Sequence, residues 1–113
     1  MARKPIRVFV YAAARNDILR QHAFYLDERG AAHMAEKFLD AVQAAMEKLR
    51  RMPDAGAPKK LKHPLLAGLR AWPVEGFPAM RIYYLYRAGE VLVVRVLDGR
   101  RDLDALWEEP DFA

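Results

Sequence analysis

The sequence predicts an α+β domain: an N-terminal strand, then an antiparallel helix hairpin, then a three-stranded antiparallel meander. Three observations predict it. Apolar residues recur at helical spacing in two stretches between Ile18 and Leu49. Three β-rich runs then follow one another in Leu69–Asp102, LRAWPVEGFPAMRIYYLYRAGEVLVVRVLDGRRD. Glycine and proline separate these blocks. The order is β-α-α-β-β-β, and LDALW after Arg101 is compatible with a short C-terminal helix.

Ile6 to Tyr11 is β-rich, follows Pro5 and reads as the first strand. Asn16 or a near neighbour can cap the first helix, with Asp17 in its first turn favoured by the helix dipole. Leu19, His22 and Leu26 form its stripe, flanked by Ile18 and Tyr25, and Gly30 ends it after Arg29. In the second helix Ala35, Phe38, Leu39, Val42, Ala45, Met46 and Leu49 share a face. Glu36, Lys37, Asp40, Gln43, Glu47 and Lys48 hold the solvated side, and the helix runs to Met52 and breaks at Pro53. A short link at Gly30 folds the two helices antiparallel. Pro53–Gly68, rich in proline, glycine and lysine, reads as a loop. The strands follow at Leu69–Glu75, Met80–Arg87 and Val91–Asp98.

One domain over residues 1–113 fits this length. Hydrophobic residues at 53% and charged residues at 30% place it among globular chains. No apolar run approaches the roughly 18 residues of a membrane span, and no signal peptide is expected. The absence of cysteine excludes disulfides, thiolate metal sites and a cysteine nucleophile, and fits the cytoplasm. Net charge is +4 and the pI about 9.6, which suits either solubility or an acidic partner.

Strand side chains alternate between faces. Ile82, Tyr84 and Tyr86 are expected to meet the helices, together with Leu92, Val94 and Val96. The predicted core is therefore Leu19, Phe38, Leu39, Val42, Met46, Leu49, Ile82, Tyr84, Leu92, Val94 and Val96. Arg81, Tyr83, Arg95 and Leu97 fall on the opposite face. That face is open to water or covered by something acidic, unless its arginines pair with the chain's own acids, such as Asp98 or Asp102.

LRAWPVEGF, RIYYLYR and VVRVLDGRRD in that order, after ILRQHAFYLDERG and AEKFLDAVQAAMEKLRRMPDAG, resemble the ParE branch of the RelE/ParE toxins of type II toxin–antitoxin modules. The resemblance spans about Val8 to Leu106. It implies a RelE/ParE-like fold and a toxin that inhibits DNA gyrase. It also implies silencing by a cognate ParD-like antitoxin, whose C-terminal segment wraps the toxin, in a hetero-oligomer that binds operator DNA through the antitoxin. No cofactor and no membrane partner are implied.

The RelE branch instead cleaves mRNA on the ribosome with basic residues on the open sheet face. Here Arg81 and Arg101 match two such positions. Trp107 stands where a tyrosine would be expected, and an indole N–H cannot serve as a general acid or base. Arg70 and Trp72 replace a lysine pair, and Lys59, Lys60 and Lys62 could substitute only if their loop folded over the sheet. A binding protein without catalytic residues is therefore favoured over the nuclease, with an inactive antitoxin-binding module as a further alternative. The antitoxin- or target-binding candidates are Arg70, Arg81, Tyr83, Arg95, Leu97, Arg100 and Arg101. Trp72 either completes the core or anchors the antitoxin, and Trp107 is expected to pack a terminal helix. His22 reads as a packed helix residue, His33 as solvated, and His63 as the one histidine worth testing. Glu28 and Glu36 read as solvated helix acids, and no metal site is expected. The segment Leu103–Ala113 is a candidate for target contact.

Overall fold

A computed structural model describes residues 6–27 and 31–106. Strand β1 (Arg7–Val10) leads into α1 (Ala12–Asp27), which is followed by α2 (Ala32–Arg51). Then come β2 (Ala57–Pro58), a 3-10 turn at Pro64–Leu66, β3 (Arg70–Val74), β4 (Phe77–Arg87), β5 (Glu90–Asp98) and α3 (Leu103–Leu106). The predicted α+β architecture is the one observed. The sheet order is β1-β5-β4-β3-β2. β1 pairs with β5 in parallel, and the helix hairpin with β2, β3 and β4 forms the long connection between them that a parallel pair requires.

Some boundaries differ from the sequence reading. α1 starts before Asn16 because the Tyr11 carbonyl already accepts the Arg15 N–H at 2.9 Å. Asp17 therefore lies inside the helix rather than in its first turn. β2 falls in the segment that reads as loop in the sequence: two residues, one of them proline, at a sheet edge carry no alternation to detect. The Gly30 link, Arg29, Glu28, Trp107 and the rest of the C-terminal segment lie outside the described residues.

The sheet carries a core on each face. On the helix side Phe38, Val42 and Leu49 of α2 and Ala14 of α1 meet Ile82, Tyr84, Val91, Val93 and Val96. Phe77 joins this layer through edge contacts with Phe38 (5.3 Å between centroids) and Tyr25 (5.5 Å). On the other side Tyr83, Leu85, Val94 and Leu97 lie under Leu66, Leu69 and Leu103. The expectation that this second face is open is thus incorrect. The irregular segment between α2 and β3 folds back over it, and such a segment has no periodicity that reveals burial.

Several core assignments also need correction. Val94 and Leu92 belong to the second face, not the helix face. Tyr83 opposes Arg95 while Tyr84 opposes Val93, so β5 carries a bulge at this point. One extra residue switches the faces of the side chains beyond it. Leu19 is 56% exposed, because α1 buries Ala14 and Asp17 and turns the Leu19 stripe outward. Leu39 and Tyr86 are exposed, and Met46 is half-buried against the helix-side core. Phe38, Val42, Leu49, Ile82, Tyr84 and Val96 occupy that core as expected.

Tyr84 ties this core to the segment after α2. Its hydroxyl donates to the Pro53 carbonyl and accepts from the Gly56 N–H, both at 2.8 Å. Gly56 is needed there, since a Cβ would lie 2.6 Å from the hydroxyl oxygen. Tyr84→Phe removes both bonds at a buried site and is expected to cost about 1–3 kcal/mol. A urea titration checks this; a loss below about 0.5 kcal/mol would show that water replaces the hydroxyl.

Candidate partner-binding grooves

The alanines of α2 shape the first groove. Ala41, Ala44 and Ala45 are too small to fill the space between this helix and β3, and a groove of about 770 Å³ results. Trp72 and Phe77 line it on the sheet side. Lys37, Lys48 and Arg51 follow the same face of α2 and rim it, and the Lys48 ammonium stands 5.8 Å from the Trp72 ring centroid. Among the described residues none of these three cations has a carboxylate within ion-pair distance. Glu75 is the acid at the rim. Trp72 is half-buried, so it both packs on the core and faces the groove.

A second groove of about 440 Å³ runs between α1 and the adjoining ends of β4 and β5. Gly76 and Phe77 line both grooves, so they meet at the turn between β3 and β4. Gly76 holds that turn at φ 83°, a conformation costly for any side chain. Arg20 and Arg101 bring cations to the second groove. The acids lining it, Asp17 and Asp98, already accept from Arg95 and Arg100.

Four of the predicted binding arginines hold parts of the chain itself. Arg95 grips Asp17 of α1 with two bonds, Nε at 2.7 Å and Nη2 at 2.8 Å. The same carboxylate accepts the Val96 N–H at 3.0 Å. The pairing with an own acid therefore exists, but its partner is Asp17 and not Asp98 or Asp102. Arg81 is half-buried and donates to the Pro78 and Met80 carbonyls. Arg70 donates to the carbonyls of Asp54 (3.1 Å) and Gly56 (2.8 Å). Arg100 pairs with Asp98 at 2.8 Å. The Arg100 guanidinium, then its backbone N–H, holds the Asp98 carboxyl down at about 2.

Arg101 alone of the predicted arginines is exposed and lines a groove. Tyr83 and Leu97, which alternation places on an open face, are both buried within the second core. Burial pushes the Tyr83 phenol up. His63 caps the 3-10 turn by accepting the Leu65 N–H at 3.2 Å, His33 is exposed, and His22 is half-buried. Among the described residues no group of three or more His, Asp or Glu is gathered as a metal would require. None of the described helices is long and apolar enough to cross a membrane.

Sequence reasoning missed the groove cations, having placed Lys37 and Lys48 on a solvated face. The available signal was their spacing. Lys37, Ala41, Ala44, Lys48 and Arg51 recur at steps of three or four, a basic stripe interrupted only by alanine.

Fold and grooves together define a small α+β protein with two adjoining basic clefts on its helical layer. The chain belongs to the ParE toxin family of type II toxin–antitoxin systems: the family model described as the ParE toxin of the parDE system matches residues 8–103. A solved chain of the chromosomal ParDE toxin–antitoxin system from P. aeruginosa is similar in fold. It has a TM-score of 0.67 and 16% identity, over 83% of this chain and 96% of that one. No curated relative matches.

Proposed function

We propose that this chain arrests growth by inhibiting DNA gyrase, and that a ParD-like antitoxin silences it. In this reading the antitoxin lays an acidic, amphipathic segment in the α2–β3 groove, and the complex binds operator DNA through the antitoxin. One observation carries the preference over RNA cleavage. The sheet face that would meet RNA is sealed by Leu66, Leu69 and Leu103, and Arg70, Arg81 and Arg95 are engaged within the chain. Cleavage needs cations and proton donors placed around one phosphate. The groove has the opposite character: apolar walls around Trp72 with cations at the rim, suited to a protein segment.

Purified toxin is expected to block gyrase supercoiling or to trap cleaved DNA, and antitoxin should restore the reaction. Full supercoiling in the presence of excess toxin would refute the proposal.

A second reading, a ribosome-dependent endoribonuclease, is favoured by one feature. The loop carrying Lys59, Lys60 and Lys62 does fold over the sheet. Codon-positioned cuts in primer extension on translated mRNA would select that reading. Normal growth on expression of soluble protein would leave an inactive antitoxin-binding module.

A further inference from the structure

The segment sealing the second face bears a charge pattern that neither groove uses. Lys59, Lys60 and Lys62 lie within four residues, and all are exposed. Among the described residues none has a carboxylate within ion-pair distance. The backbone beneath them is fixed. Lys59 N–H donates to the Leu69 carbonyl at 2.8 Å, and Lys62 N–H donates to Asp104 Oδ1 of α3 at 2.9 Å. Leu61, between the lysines, packs on the second core. Farther along, Arg87 holds the Leu65 and Ala67 carbonyls at 3.0 and 2.8 Å. The lysines thus stand on a fastened strap. Among the described residues Asp104 is the acid that bonds the strap, and its bond is with backbone.

We infer that this strap is a contact surface for the phosphate backbone of duplex DNA. Three exposed lysines within four residues match a polyanion, whose binding releases condensed counterions. Neither groove described above includes any of them. The strap sequence KKLKHPLL carries no Phe, Tyr or Trp on which unpaired bases would stack, which favours duplex over single strand. Lysine supplies a mobile point charge suited to backbone contact without base readout. The inference stands apart from the gyrase reading, since it concerns the toxin's own contact with DNA.

The test is fluorescence anisotropy of a labelled 30-base-pair duplex with the purified full chain, titrated at several salt concentrations. The wild type is expected to bind at low salt without sequence preference. The variant Lys59→Ala/Lys60→Ala/Lys62→Ala should bind about tenfold or more weakly at 50 mM salt. Its slope of log affinity against log salt should fall by about 2.7, or about 0.9 per lost phosphate contact. The matching triple Lys→Arg variant should retain binding, and thermal melts should show both variants folded. No duplex binding by the wild type, an unchanged salt slope in the alanine variant, or tighter binding to single-stranded RNA of equal length would each overturn the inference. So would a loss of binding that follows Lys37→Ala/Lys48→Ala/Arg51→Ala and not the strap variant.

Discussion

Asp17→Ala is expected to destabilise the protein by about 3–5 kcal/mol. The carboxylate side chain is 2% exposed and the Arg95 side chain 16%. Alanine leaves a largely buried guanidinium without its partner and the Val96 N–H without an acceptor. The intact pair need not be worth that much, since its Coulomb gain is offset by desolvation of both ions. Asp17→Ala/Arg95→Met separates the two quantities, because methionine removes the stranded charge and keeps much of the volume. The double variant should recover a large part of the loss, a signature that simple cavity formation would not give. Guanidinium chloride titrations of the three proteins check it. A loss below about 1 kcal/mol for Asp17→Ala would place the pair with exposed ion pairs.

Reversing the rim of the α2–β3 groove should have the largest effect on partner binding. Lys37→Glu/Lys48→Glu/Arg51→Glu puts three like charges against an acidic segment, at a cost of several kcal/mol. Antitoxin affinity should fall by about 100-fold or more, since each 1.4 kcal/mol is tenfold. All three positions are exposed or at the rim, so the melting temperature should change little. Calorimetry with the antitoxin segment proposed to fill this groove reads the affinity. Growth on co-expression reads the consequence: the antitoxin should no longer rescue cells. An affinity within threefold of wild type would move the antitoxin off this groove.

Much of the fold was legible because its signals are local. The α2 stripe at Phe38, Val42, Ala45 and Leu49, the alternation of Ile82 and Tyr84, and the breaks at Pro53 and Gly76 need no knowledge of distant residues. Illegible features all depend on contacts far apart in the chain. The bulge opposite Tyr83 exists only in the pairing of β4 with β5, and it alone moves Val94 to the second face. Asp17 resembles a helix-start residue until β5 brings Arg95 to it. The site reading erred for the same reason at Arg70 and Arg95, whereas Arg81 reaches the nearby Pro78 and Met80 carbonyls. Alternation tells which side of a strand an arginine leaves from, but not which carbonyl or carboxylate it reaches. Arg70, Arg81 and Arg95 therefore looked available for a partner although the chain itself engages them.

The parallel pairing of β1 with β5 also sets a timetable for biosynthesis. Val8 waits for Val91, and Asp17 for Arg95. A ribosome adding about 5–20 residues per second therefore leaves the first strand and helix without their β5 partners for several seconds, until that strand has emerged. A nascent chain stopped anywhere before Val91 lacks the strand that closes the sheet and the arginine that fastens α1. Truncated products cannot complete the fold, so the finished surface, grooves and strap alike, becomes available late and nearly all at once.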